Sequence, residues 1–274
     1  MIPRTKHRSR AAYAGGAALL AALVMTGTVG VASASSRPII APVGPNGSSP
    51  GAVEASSSPG ATVEPGANGR IAFVSDRYAG TPNIFTVDPT NPTVVSRLTG
   101  CNHTNCPGGA ISPAWSPDGR LIAFVRDADG EGSGPIYTMF AGGGTQAQVG
   151  SLVGESPTWS PDASLLAFAS AAGGSNEDIY VASADGTGSP VDLTNDAASP
   201  DLQPAWSPDG KKIAYIANGT GGTTDVFVVK ADGTGSPVDL TNSAAAEQHP
   251  AWSADGTQIA YDDGTGIWWI PIPM

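Results

Sequence analysis

The sequence predicts an all-β chain folded as a β-propeller of about five four-stranded antiparallel blades. Three observations carry that reading. The phrase Trp-Ser-Pro-Asp-Gly, or a near copy, occurs four times, with its tryptophans at Trp115, Trp159, Trp206 and Trp252, spaced 44, 47 and 46 residues apart. Each copy is followed in the same order by an apolar strand, a polar loop and a second apolar strand, and a shorter outer strand ending near Leu-Thr is expected to complete the unit. Residues 184–195 and 231–242 are the same twelve letters, Ala-Asp-Gly-Thr-Gly-Ser-Pro-Val-Asp-Leu-Thr-Asn, the mark of internal duplication. One four-stranded sheet cannot bury both faces until neighbours stack on it, so sheets repeated at this period build propellers.

The turn after each tryptophan forms a short hairpin. In Ser116-Pro117-Asp118-Gly119 the proline presets φ, the aspartate suits the second central position and the glycine takes a positive φ. Ser207-Pro208-Asp209-Gly210 repeats this, and Ser253-Ala254-Asp255-Gly256 loses only the proline. Ser160-Pro161-Asp162-Ala163 places a Cβ where glycine is wanted. That costs roughly 1–2 kcal/mol if the left-handed conformation is kept, so this hairpin is predicted to be the most strained. The strand that follows is apolar on both faces, as in Leu121-Ile122-Ala123-Phe124-Val125, and must be covered on both. Its alanines (123, 167, 214, 260) and aromatic residues (124, 168, 215, 261) suit a small residue on one face and a ring on the other. The third strands repeat as Ile136-Tyr137, Ile179-Tyr180, Val226-Phe227 and Ile267-Trp268.

At these residues the chain resembles the TolB-type, WD40-like (PD40) propeller repeat, whose pattern runs Pro-x-Trp-Ser-Pro-Asp-Gly-x-x-Ile-Ala-Phe, then Ile-Tyr, Asp-Gly and Leu-Thr. The likeness covers about three quarters of the chain and speaks to fold far more than to function. It implies a protein that binds partners in the cell envelope, although the chain lacks the N-terminal α/β domain of TolB itself. TolB propellers typically have six blades, so a six-bladed, open or dimerising ring stands as the alternative to five.

Blade boundaries follow from the repeats. Arg70-Ile71-Ala72-Phe73-Val74 is the first recognisable strand, and residues 61–64 read as a degenerate inner strand before it. The last blade has no outer strand before Met274. A ring needs that edge covered, and the apolar run 38–43, Pro-Ile-Ile-Ala-Pro-Val, is either the missing strand or part of a linker. Its two prolines confine such a strand to an edge.

Residues 1–34 read as a secretory signal, with Arg4, Lys6, Arg8 and Arg10 before an alanine-rich apolar stretch and an Ala32-Ser33-Ala34 cleavage site. The competing reading is an uncleaved membrane anchor. Residues 35–59 read as a Pro/Ser/Gly-rich linker and 60–274 as the propeller. Cleavage removes 4 of the 13 Lys/Arg, leaving 9 against 24 Asp/Glu and a formal charge of −15. Nucleic acid is thereby disfavoured; a basic protein segment or a metal cation fits better. After cleavage no stable membrane span is expected, and the localisation is secreted, periplasmic or cell-envelope. In an exported chain Cys101 and Cys106 are expected to form a disulfide. A metal site on both thiolates and His103 lacks a fourth nearby ligand.

No catalytic signature is present: there is no Gly-x-Ser-x-Gly and no His-Glu-x-x-His, and past residue 34 only His103 and His249 remain as histidines. No cofactor or metal is expected. The segment Asp127-Ala128-Asp129-Gly130-Glu131 is loosely like a calcium loop but lacks EF-hand spacing. The recurrent Asp118, Asp162, Asp209 and Asp255 suit backbone hydrogen bonding in turns, and the recurrent tryptophans suit blade packing. The most informative positions are those just before each Pro-x-Trp, where the repeat breaks: Ile111-Ser112, Glu155-Ser156, Leu202-Gln203 and Gln248-His249. In a propeller these enter the innermost strand at the mouth of the central channel, and polar variation on a fixed scaffold is how a binding face looks. Ser112, Glu155, Ser156, Gln203 and His249 are therefore the candidate contacts of a non-catalytic binder of a protein or peptide. The alternative is a degenerate carbohydrate-active or metal-dependent hydrolase or lyase.

Overall fold

The computed structural model describes residues 69–77, 80–100, 108–174, 176–195 and 199–272, and all regular structure there is β. The first blade is β1 (Ile71–Ser75), β2 (Asn83–Asp88) and β3 (Asn91–Arg97). The second contains β4 (Gly109–Trp115), β5 (Leu121–Asp127), β6 (Gly134–Phe140) and the first part of β7 (Gln146–Trp159). The third begins with the second part of β7 and adds β8 (Leu165–Ser170), β9 (Asp178–Ser183) and β10 (Val191–Asp192). The fourth is β11 (Leu202–Trp206), β12 (Lys212–Asn218), β13 (Thr224–Lys230) and β14 (Val238–Asp239); the last is β15 (Gln248–Trp252), β16 (Gln258–Asp262) and β17 (Ile267–Pro271). Each is an antiparallel meander, running from the innermost strand outward in the last four. Three blades have four strands; the first and last have three among the described residues. The degenerate inner strand read at 61–64, the run 38–43 and the Cys101/Cys106 loop lie outside the described residues.

One departure from the expected repeat is instructive. The second blade does not end near Leu-Thr. Its outer strand runs straight on as β7, pairing with β6 through Pro135–Val153 and Gly134–Gly154, then with β8 from Glu155–Ala169. In the first, third and fourth blades the Leu-Thr pair closes the sheet. The hydroxyls of Thr99, Thr194 and Thr241 accept the backbone N–H of Ile84, Ile179 and Val226 at 2.8–3.0 Å. Leu98, Leu193 and Leu240 donate back to the carbonyls of the same three residues. Without that threonine the second blade has no such clasp, and the chain keeps its extended course into the third.

Packing between blades follows one rule. Trp159, Leu166 and Phe168 of the third blade cover Ala114, Ala123, Val125 and Ile136 of the second. Trp252 and Ile259 of the last cover Ala205, Ala214, Val226 and Val228 of the fourth. A face of large residues thus seats on the small-residue face of the blade before it. The indoles of Trp159 and Trp252 donate to the Ala114 and Ala205 carbonyls at 3.1 and 3.0 Å, so these two tryptophans are packing elements tied across the blade interface. Strand contacts link consecutive blades, and the described residues form an arc whose first and last sheets are not joined.

The turn chemistry matches the sequence reading. The Ser116 hydroxyl donates to Asp118 at 2.6 Å and accepts the Leu121 N–H at 2.9 Å, and Ser160, Ser207 and Ser253 repeat both contacts. The four aspartates are thereby occupied with their own hairpins. Hydrogen bonding from Ser253 and Thr257 holds the Asp255 carboxyl down to about 2. Gly119, Gly210 and Gly256 all stand at φ 70°, and Ala163 is forced to φ 60° at the same place, as its hairpin predicted.

Candidate functional site

At the opposite end of each innermost strand the backbone does something the sequence reading did not anticipate. Ser112, Ser156, Gln203 and His249 all have positive φ, at 51°, 54°, 56° and 55°. Pairing with the second strand shifts register at that point in all four, between Ile111 and Ala114, Glu155 and Thr158, Leu202 and Ala205, Gln248 and Ala251. The cause lies in the sequence: each is followed by proline (113, 157, 204, 250), which has no N–H for the ladder. A bulge forms there and re-aims the residue before the proline.

The innermost strands β4, β7, β11 and β15 lie side by side, so the four bulges stand on one face of the arc and the hairpin turns on the other. Ser112 and Ser156 are buried, whereas Glu155, Gln203 and His249 are half-buried. Two of these five residues touch directly although 46 positions apart: the His249 backbone N–H donates to Gln203 Oε1 at 2.6 Å. The imidazole is held in turn, with Nδ1 2.6 Å from Asp262 Oδ2. Asp262 was not singled out from sequence, yet a signal existed. The equivalent second-strand positions, opposite the residue that precedes each bulge, are Val125, Ala169 and Ile216, and only the last blade puts an acid there.

Glu155 opens the third blade's bulge. Burial pushes its carboxyl up to about 7, and the nearby Glu177 carboxylate adds to the rise. Gly154 before it has no room for a side chain, because a Cβ there would lie 2.3 Å from the Ala169 carbonyl oxygen. Glu155 also faces the acidic 127–131 loop, with Oε2 3.8 Å from where a Cβ on Gly132 would stand. Within that loop Asp127 accepts the N–H groups of Gly130 (2.7 Å) and Gly132 (3.2 Å), and Asp129 accepts that of Glu131 (3.2 Å). These carboxylates shape the loop. Among the described residues no three His, Cys, Asp or Glu side chains gather to hold a metal ion.

A family profile described as the TolB beta propeller domain, PD40, matches residues 110–267, more than half of the chain. The chain belongs to the TolB β-propeller family. Among solved structures it is similar to TolB from Acinetobacter baumannii, with 26% identity and a TM-score of 0.58 over 74% of this chain and 49% of that one. It therefore spans about half the length of that TolB. It is also similar in fold to a putative TolB from Agrobacterium tumefaciens (22% identity, TM-score 0.52, covering 74% of this chain and 71% of that one). A chain of a nidogen/laminin complex shares the fold at 15% identity and a TM-score of 0.55, over 74% of this chain and 70% of that one. No curated protein matches the sequence. Among the described residues no helix is long and apolar enough to cross a membrane.

Proposed function

We propose that this TolB-family propeller is an exported, non-catalytic binding protein that holds a protein or peptide partner on the face formed by Glu155, Gln203 and His249. The observation that carries the reading is the strained bulge repeated in four blades. A positive φ on a non-glycine residue costs on the order of 1–3 kcal/mol, and such strain gathers at functional sites. Glycine would relieve it, yet the chain keeps Ser112, Ser156, Gln203 and His249 there. In this reading the two buried serines shape the bulges and the three half-buried side chains meet the partner. Acidic groups around them (Asp129, Glu131, Glu177, Asp262) favour a basic segment, steered by charge before contact.

The test is capture from a cell-envelope extract by the exported chain, identified by mass spectrometry and repeated with alanine at 155, 203 and 249. A partner retained equally by both proteins would move the site off this face. Residues 1–34 are the export signal in this proposal; N-terminal sequencing of exported material is expected to start at or near Ser35. The Cys101–Cys106 disulfide is part of the same reading and is checked by thiol titration of native exported protein, which is expected to find no free thiol.

A further inference from the structure

The last blade leaves an edge open that its neighbours close. In the fourth blade β14 pairs with β13 at Phe227–Asp239 and Val228–Val238. Beyond it, Leu240 donates to the Val226 carbonyl and Thr241 accepts the Val226 N–H. The third blade does the same with Val191 and Asp192 on β9. No strand pairs with the outer side of β17 among the described residues. Aligning the blades by register sets Ile267 and Trp269 at the places of Val226 and Val228. Those valines are 0% and 8% exposed, whereas Ile267 is 75% and Trp269 65% exposed, with Trp268 at 51%. By the same register the backbone N–H and C=O of Ile267 and Trp269 point to the vacant edge. An apolar, unpaired edge is a template for strand addition.

We propose that this edge is a strand-docking site and that its occupant is the chain's own segment 38–43, Pro-Ile-Ile-Ala-Pro-Val. The outer strands of the third and fourth blades are only two residues long, so the edge needs two or three consecutive residues able to pair. Ile39, Ile40 and Ala41 supply them. Pro38 and Pro42, which would break an inner strand, sit where the run ends and where an edge position needs no outward N–H. The flanking sequence is Ser/Pro/Gly-rich, and the one other strand-like run before Gly69, residues 61–64, is read as the inner strand of the first blade. Reach is ample. The 25 residues from Gly44 to Asn68 extend to roughly 80–90 Å at about 3.3–3.6 Å each, against a propeller of about 45 Å across for its length. The strand would tie the start of the chain to its last blade and cover Trp269.

The experiment is amide hydrogen exchange at Ile267 and Trp269 in three proteins: the exported chain, the same chain lacking 35–43, and an Ile39→Asp/Ile40→Asp variant. Docking predicts protection in the first at all protein concentrations, and at least tenfold faster exchange at these two amides in the others while the amides of β12 and β13 stay protected. A synthetic peptide spanning residues 37–44, added to the deleted chain, is expected to restore protection and shift tryptophan emission to the blue. Equal exchange in all three proteins, protection that rises with protein concentration and so reports a second copy, or a folded deletion variant that the peptide leaves unchanged, each overturns the proposal.

Discussion

The two ends of each innermost strand pose the same backbone problem and answer it differently. At the turn end, a positive φ falls on Gly119, Gly210 and Gly256, and on Ala163 in the one blade that departs. At the bulge end, a positive φ of nearly the same size falls on Ser112, Ser156, Gln203 and His249 and never on glycine. The turn end repeats its letters and its hydrogen bonds from blade to blade. The bulge end repeats its geometry but changes its side chains. In the proposed reading the turn end holds the shape of the blade and the bulge end meets the partner.

The largest effect expected on the shape-holding side is at Trp159. It is buried against the second blade and donates to the Ala114 carbonyl. Trp159→Ala is expected to destabilise the domain by about 3–5 kcal/mol in denaturant unfolding, with Trp159→Phe losing a smaller share that includes the hydrogen bond, about 1 kcal/mol. A loss of less than about 1 kcal/mol for the alanine variant would mean that the indole is not a packing element.

On the other side, replacing Glu155, Gln203 and His249 together with alanine is expected to weaken partner binding by roughly 2 kcal/mol or more, as truncation of central interface residues does. Unfolding should change far less than for Trp159→Ala. Raised salt should slow association before it alters dissociation. Equal affinity for wild type and variant would reduce the bulges to a feature of the fold.

Much of this contrast was legible in the letters, for reasons that are physical. Repetition exposes structure: a hairpin that must turn the chain four times uses the same serine and aspartate each time and glycine in three of the four, and the tryptophan that must fill the same gap recurs. The strain at Ala163 could be read directly, because a single Cβ breaks a local rule. The bulges could not, because an X-Pro pair within a strand says that a ladder bond is missing without saying where the chain will kink. The contact between Gln203 and His249 depends on two inner strands lying side by side, which no local pattern encodes. The continuous β7 was also out of reach, since a missing Leu-Thr reads as a weak repeat before it reads as a strand without a break.

Glu155 gives a pH test of the bulge end. Its ordinary value of 4.5 is raised to about 7 in the folded protein by burial and by Glu177. Between those two values the folded state holds the proton that the unfolded state has released. Stability therefore falls as pH climbs from about 4.5 to about 7 and is flat in this contribution outside that window. The effect should be on the order of 1–3 kcal/mol, allowing for partial solvent exposure. Glu155→Gln is expected to remove that slope from a series of urea melts; an identical pH profile in the variant would show that the carboxyl is well solvated.

The smallest effect makes the sharpest comparison. Ala163→Gly relieves roughly 1–2 kcal/mol of left-handed strain and returns roughly 0.5–1 kcal/mol to the unfolded chain as entropy. The net expectation is a stabilisation of about 0.5–1 kcal/mol, visible as a rise in Tm of roughly 1–4 °C for a domain of this size. Gln203→Gly relieves the same strain at the other end of its strand but also removes the side-chain oxygen that accepts the His249 N–H, a bond worth about 1 kcal/mol. Its stability should therefore stay within about 0.5 kcal/mol of wild type while partner affinity falls. Measured side by side by calorimetry and binding, the two substitutions ask whether the bulge is kept for its side chain. If Gln203→Gly raised Tm as much as Ala163→Gly and left affinity untouched, the two ends of the strand would be doing the same work, and the binding face would have to be sought elsewhere on the arc.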